Sequence, residues 1–394
     1  GLIQGFGFAI LYTFLGLPIG RLADRISRRS IVAVGVVVWS IMATACGLAR
    51  TGAQLFLARI GVGVGEAALS PSAYSLITDS FPREKLGRAF GVYNMGIALG
   101  SGIAFLTAGL VIQAVSGTSH YTLPVFGEVR GWQVVFVMTG LPGLALPLLL
   151  LGFREPPRLG LLKSTTGASP QIPLSDVLRF MWGNRGFYAL HFVAIGLLAM
   201  VGYGVGAWLP ETLLRTYHSE GLTMARIAGV LGLSTIFLNA GGIYSAGRLS
   251  DYLTAKGHRD APIIVACGVA ICMALTSTFT PFMPTLTTLF IALAIGSFPF
   301  SAYASVAPMA VNQVTPNQMR AQVSAVYLFV INVLGLGVGP ALIPFINDQV
   351  FHDPKMIRYS LSAVVIAGCS IAAVLLFFVR STYREKHADA ARWQ

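Results

Sequence analysis

Eleven long apolar runs, separated by short polar gaps, govern what this chain can fold into. They cover roughly residues 1–22, 30–49, 53–80, 87–115, 131–152, 186–216, 223–249, 260–279, 284–313, 317–347 and 358–380. About 20 predominantly apolar residues is the length an α-helix needs to cross the hydrocarbon core of a bilayer. Inside that core each backbone N–H and C=O must be satisfied within its own segment, so runs of this kind are helices. Composition agrees, since 55% of the 394 residues are hydrophobic and 11% are charged, against about 25% charged in ordinary soluble domains. The pattern predicts an all-α, multi-pass membrane protein.

The net charge of +12 would suggest nucleic acid in a soluble protein. Here the basic residues sit in the gaps, and sorting them by alternate gaps puts most on one side. That side is cytoplasmic by the positive-inside rule, which places the carboxyl end inside, places Gly1 outside and removes nucleic acid as a partner. Cys46, Cys267, Cys272 and Cys369 lie within apolar runs and read as buried thiols rather than disulfides. The six histidines show no metal-ligand spacing, so neither metal nor cofactor is expected.

The longest polar gap, 153–185, reads as a cytoplasmic linker. Its Pro173–Met181 stretch carries Leu174, Val177, Leu178 and Met181 on one helical face, with Ser175 or Asp176 as cap. The linker divides an amino-terminal bundle, 1–152, from a carboxyl-terminal bundle, 186–380, with a cytoplasmic tail at 381–394. The two halves repeat each other. Gly20-Arg21-Leu22-Ala23-Asp24 ends one run and Gly247-Arg248-Leu249-Ser250-Asp251 ends another. Leu55-Phe56 and Leu289-Phe290, Pro82 and Pro316, and Val92-Tyr93 and Val326-Tyr327 all keep an offset of 234. The paired loops fall on the same side, so the repeats are parallel, as in transporters whose two bundles rock around a midplane site. The second half has six runs and the first has five, so the repeat predicts a further span before Gly1.

The stretch Gly20 to Arg29 resembles the loop signature between the second and third helices of the major facilitator superfamily, with Ser27 where a glycine is usual. Arg59 with Gly63 and Gly65 resembles that family's fourth-helix arginine motif. Gly63-Val64-Gly65-Glu66-Ala67, Pro71, Ser75-Leu76-Ile77, Asp79, Phe81-Pro82 and Gly87-Arg88-Ala89 resemble the Spinster-like branch. The resemblance implies a major facilitator fold of two parallel-repeat helix bundles, the twelve-helix type with eleven spans in this chain. It also implies transport of sphingosine phosphates or lysophospholipids. Ile103 stands where the family's exchange-associated signature has proline, which weakens any inference of antiport.

Arg59 and Glu66 are the sharpest chemical feature. Seven residues apart on one helix, they lie roughly 10 Å apart along the axis and about 20° apart around it, with Gly63 and Ser70 on the same face. Each charge at the bilayer centre costs about 2.5–3.5 kcal/mol on insertion scales, so the stripe should face a wet cavity or a protein partner. Glu66 would bind a proton or couple to substrate, Arg59 would attract an anionic headgroup, and Ser70 would complete the site. The positions equivalent by the repeat are Leu293 and Phe300, so one half is polar and the other apolar, which suits an amphiphile. Asn94, Tyr203, Asn239, Phe298, Phe300 and Asn332 are further cavity-lining candidates. Asp24, Arg25, Arg28, Arg29, Arg248, Asp251 and Arg320 form an expected cytoplasmic gate. Asp24 would brace the span near Pro316 and Arg320, and Asp251 the span near Gly87, because a carboxylate is favoured at a helix amino terminus.

The expected function is secondary transport of an amphiphilic anion by alternating access, coupled to protons, by a monomer in a bacterial inner membrane. A symporter of small organic anions is the second transport reading. A membrane-embedded lipid-modifying enzyme or scaffold is the reading from another class. The residues offer an enzyme no nucleophile–base set and no metal cluster.

Overall fold

The structure, a computed structural model, describes residues 26–115, 121–123, 127–150, 152, 154–157, 172–217 and 220–390. The expected first span, together with Asp24 and Arg25, lies outside the described residues.

The first half contains α1 (Arg28–Leu48), α2 (Gly52–Ala67), α3 (Leu69–Ser80), α4 (Leu86–Val115), α5 (Gly131–Gly143) and the short α6 (Leu146–Leu149). Between α4 and α5 two three-residue strands, β1 (Tyr121–Leu123) and β2 (Gly127–Val129), pair antiparallel with Leu123 opposite Gly127. This strand pair departs from the all-helical expectation, and Gly127, the first residue of β2, adopts a left-handed φ of 73°. The linker helix α7 (Leu174–Gly183) buries Val177 and exposes Leu178 and Trp182. The second half contains α8 (Arg185–Thr216), α9 (Met224–Ser234), α10 (Ala240–Ala255), α11 (Ala261–Ser277), α12 (Leu286–Ser297), α13 (Tyr303–Gln313), α14 (Asn317–Asn332), α15 (Gly339–Ile346) and α16 (Ile357–Ala390). π-helical turns at Thr235–Asn239 and Val333–Val338 join α9 to α10 and α14 to α15.

Among the described residues, eight helical stretches are long and apolar enough to cross a membrane. Two expected spans, 53–80 and 284–313, are instead broken near their middles, the first at Ala68 and the second over Phe298–Ala302. Proline causes both breaks. Pro71 lacks the N–H that the Ala67 carbonyl would accept, and its ring crowds that carbonyl. Pro299 forces a series of three-residue turns, Phe298 N–H to Ile295, Phe300 N–H to Ser297 and Ala302 N–H to Pro299. By the offset of 234, Ala68 matches Ala302, so the interruptions fall at nearly equivalent places in the two halves.

The last helix runs to Ala390, beyond the expected end of the span at 380. Its extension is held by Asp260, which accepts from Arg380 Nε at 2.8 Å and Arg384 Nη2 at 2.9 Å. The buried Tyr383 hydroxyl donates to Gln313 Oε1 at 2.7 Å.

Contacts divide the chain into two compact units. The described parts of one fall within Gly1–Ser80, Thr107–Val177 and Pro316–Phe329, and those of the other within Phe81–Leu106, Leu178–Thr315 and Val330–Gln394. In the first unit α1 and α2 cross backbone to backbone, since a Cβ on Gly65 would lie 2.6 Å from the Gly35 carbonyl oxygen. Gln133 Nε2 donates to the Gly47 and Ala49 carbonyls, satisfying acceptors that the end of α1 leaves open. In the second unit α10 meets the broken helix so closely that a Cβ on Gly242 would overlap the Phe298 carbonyl oxygen at 1.7 Å. On α4, Gly96 and Gly100 have no described heavy atom within 4 Å of where a Cβ would project, whereas Gly102 packs against Ile236 and the Gly232 carbonyl.

Backbone cannot yield as a flexible side chain can, so Gly242→Ala should cost about 1–3 kcal/mol through overpacking. Thermal unfolding in detergent should show a Tm several degrees lower, whereas Gly268→Ala, with no described heavy atom within 4 Å of its Cβ direction, should not lower it.

Candidate functional site

The break at Ala68 separates the polar residues of the first half. Arg59 and Glu66 lie on α2, with Glu66 half-buried two residues before the break, and half-buried Ser70 lies in the first turn of α3. Arg59 is exposed and its guanidinium lies 4.9 Å from the Phe136 ring centroid, a cation–π contact. Among the described residues no ion pair joins Arg59 to Glu66.

The equivalent place in the second half is apolar. Leu293 and Phe300 line a cavity of about 100 Å³ with Leu209 and Phe105, and its polar wall includes Asn239 and Ser297. Asn239 Nδ2 donates to Ser301 Oγ at 3.4 Å, while its buried Oδ1 has no donor among the described residues. The other cavity-lining candidates are placed elsewhere. Phe298 lies on a separate groove formed by α10, α11 and the broken helix. Asn94 is buried and donates to the Phe90 carbonyl of its own helix at 2.9 Å. Tyr203 is 43% exposed and packs against Gly335, and Asn332 is buried just before the π-turn of α14.

Three of the expected gate residues, Arg28, Arg320 and Asp251, take part in two clusters, each built around a carboxylate. In the first unit the buried Asp79, at the end of α3, accepts from Arg28 Nη1 at 2.5 Å, Arg320 Nη1 at 2.9 Å and Asn317 Nδ2 at 2.9 and 3.0 Å. Arg28 also donates to Ser75 Oγ at 2.9 Å and through Nε to Glu155 Oε1 at 2.9 Å. Glu155 accepts from the Arg28 backbone N–H and from the Ser27 hydroxyl as well, so a linker carboxylate caps the positive end of α1. Two arginines and two carboxylates thus neutralise one another where Arg28 and Asp79 are shut off from water. Breaking such a buried pair is costly because it strands a charge.

In the second unit Asp251 accepts from the backbone N–H groups of Gly87 at 2.8 Å and Arg88 at 2.9 Å, and from Arg88 Nε at 3.2 Å. These are orphan donors in the first turn of α4. The two backbone segments touch directly here, since the Gly247 carbonyl oxygen leaves no room for a Cβ on Gly87. Arg248 is exposed without an ion pair among the described residues, and Arg29 is half-buried on α1.

Asp79 was assigned no role from the sequence, and a physical signal for it was present. A carboxylate at the carboxyl end of an apolar helix opposes the helix dipole, so it requires cations from elsewhere. Here those are Arg28 and Arg320.

Asp79→Asn should therefore cost about 3–5 kcal/mol of stability, read as a large fall in Tm in detergent. pH should act through the loop carboxyls. Burial alone would raise the Glu155 carboxyl, but hydrogen bonds from Ser27 and Arg28 outweigh it and hold it below its usual range. For Asp260 burial is likewise outweighed, by Arg380 and Arg384. Groups that ionise more readily folded than unfolded stabilise the fold above the usual carboxylate range, and that stability is lost as pH falls through the folded values. Tm should fall on acidification below about pH 5, and Glu155→Gln should flatten the dependence.

Comparison with known proteins agrees with this architecture. The model of the Major Facilitator Superfamily matches residues 1–340. An MFS-type efflux pump of Mycolicibacterium smegmatis is 27% identical over 403 residues, covering 100% of this chain and 86% of the relative. Protein spinster homolog 1 of Bos taurus is 29% identical over 416 residues, covering 98% and 75% respectively. The crystal structure of a bacterial homolog of the human lysosomal transporter Spinster, inward-facing and unoccupied, superposes with a TM-score of 0.57 at 26% identity, covering 100% of this chain and 90% of that one. The first of these is named an efflux pump, and the solved structure a homolog of a transporter. The chain is an integral, multi-pass member of the major facilitator superfamily, of its Spinster-like branch.

Proposed function

We propose that this transporter carries an amphiphilic anion, of the lysolipid or sphingoid-phosphate kind, across the membrane by alternating access. The observation that carries the proposal is the unequal pair of broken helices. One bears Arg59, Glu66 and Ser70 around its break, and the other bears Leu293 and Phe300 on an apolar cavity. A headgroup and a chain need such unlike surroundings, and discontinuous helices near the midplane are where transporters place substrate. Arg59, with no ion pair among the described residues, receives the anion. The Asn239 amide offers the apolar side one polar contact. The resemblance of the sequence to the Spinster-like branch implies the same substrate class.

Glu66 couples transport to protons. It is half-buried beside a helix break and no ion pair holds it charged among the described residues, so it can take up and release a proton as its surroundings change. The clamps at Asp79 and Asp251 form the inner gate. Each joins an element of the amino-terminal half to one of the carboxyl-terminal half, α3 to α14 and α10 to α4. Both must break for the inner side to open. The protein works as a monomer, without a cofactor, in a bacterial inner membrane with its basic loops in the cytoplasm.

Uptake of a labelled lysophospholipid into protein-containing vesicles tests this reading. Arg59→Ala should weaken substrate affinity about tenfold, a change of about 1.4 kcal/mol, and Glu66→Gln should abolish the pH dependence of uptake. A long-chain lysolipid should compete with the labelled substrate, whereas a short organic anion should not. If only short anions compete, the chain is a symporter of small organic anions. If chemically altered lipid accumulates, the chain is an enzyme, and the proposal fails.

A further inference from the structure

The large groove between α10, α11 and the broken helix has no part in the transport site, and we propose that it holds one anionic phospholipid of the cytoplasmic leaflet. The groove has a volume of about 850 Å³ and an almost wholly apolar wall, including Leu238, Gly242, Leu249, Leu253, Gly268 and Phe298. Leu249 and Phe298 are 48% and 45% exposed, and neighbouring Ile271, Leu275 and Ile295 are exposed too. On membrane-spanning helices this surface faces hydrocarbon. From Leu238 to Leu253 the groove runs roughly 22 Å at the rise of an α-helix. That exceeds half of a core about 30 Å thick, so one acyl chain fits along it.

Charge selects the lipid. The cytoplasmic end of the groove, beyond Leu253, carries Lys256 and Arg259, both exposed and without an ion pair among the described residues. Lys256 lies about 20° from Leu249 around the helix axis, at the mouth of the groove, with its ammonium 4.6 Å from the Tyr252 ring centroid. The carboxylates nearest in sequence are already engaged. Asp251 holds Gly87 and Arg88, and Asp260 holds Arg380 and Arg384. The mouth therefore keeps an uncompensated positive charge at the level of lipid phosphates, where basic pockets between transmembrane helices recruit anionic headgroups.

Native mass spectrometry of the purified chain, with phosphatidylglycerol or phosphatidylcholine of identical acyl chains, tests the site. The parent should retain phosphatidylglycerol at least fivefold better than phosphatidylcholine. Lys256→Glu combined with Arg259→Glu should erase that preference. Gly268→Phe, directed into open space within the groove, should lower retention of both lipids at least fivefold. Cys272 lines the groove and is exposed, so phosphatidylglycerol should also slow its reaction with a maleimide at least threefold. Arg59→Ala and Glu66→Gln should leave the adduct unchanged, which separates this site from the transport site whether or not the proposed substrate is right. Equal retention of the two lipids by the parent would overturn the proposal. So would an adduct indifferent to both groove variants, or a dimer that Gly268→Phe abolishes in place of a lipid adduct.

Discussion

The first unit turns on one buried carboxylate. Asp79 sits shut off from water at the carboxyl end of its own helix, and Arg28, together with Asn317 and Arg320 from the first turn of α14, converges on it. The partners come from α1 and α14, and Glu155 of the linker, which accepts from Arg28, completes the set. Low polarity makes the interaction strong when complete and costly when incomplete. A contact of this kind is suited to two states, closed with every charge paired or open with every charge wetted. Asp251 repeats the principle more gently. It is the repeat equivalent of Asp24 rather than of Asp79, and it uses backbone N–H groups and one exposed arginine, so its release strands less charge.

Much of the fold was legible because the bilayer restricts the choices. Ten of the eleven expected spans correspond to described helices, and the other lies outside the described residues. Their edges were less legible. The run at 358–380 was delimited by hydropathy, yet α16 continues to Ala390 because Arg380, Tyr383 and Arg384 find partners on other helices. No local pattern encodes that. The mid-span breaks were written in the sequence as Pro71 and Pro299, but hydropathy averages over 20 residues and does not see them.

The site was partly legible for the same reason. Arg59 and Glu66 stand out since charge within an apolar run is expensive, whereas Asp79 was hidden near a run's end, where charge is common. Its importance emerges only when α14 brings Arg320 and Asn317 to it. The cavity-lining residues were the least legible, because facing direction depends on packing. Phe298 and Phe300 are two residues apart, yet the broken backbone sends them to different hollows. Asn94 shows the converse, a polar residue within a span whose amide nitrogen turns back to its own helix.

The central claim is that the carboxylate clamps hold the inner gate shut and let go during the cycle. Electron–electron distance measurement tests it without knowledge of the substrate, using spin labels at the exposed positions Glu84→Cys and His258→Cys, on either side of the Asp251 clamp, with the native cysteines replaced. The account predicts a dominant short distance in the parent and a shift of population to a longer one when Asp251→Asn is added. One unchanged, single distance in both proteins would contradict it.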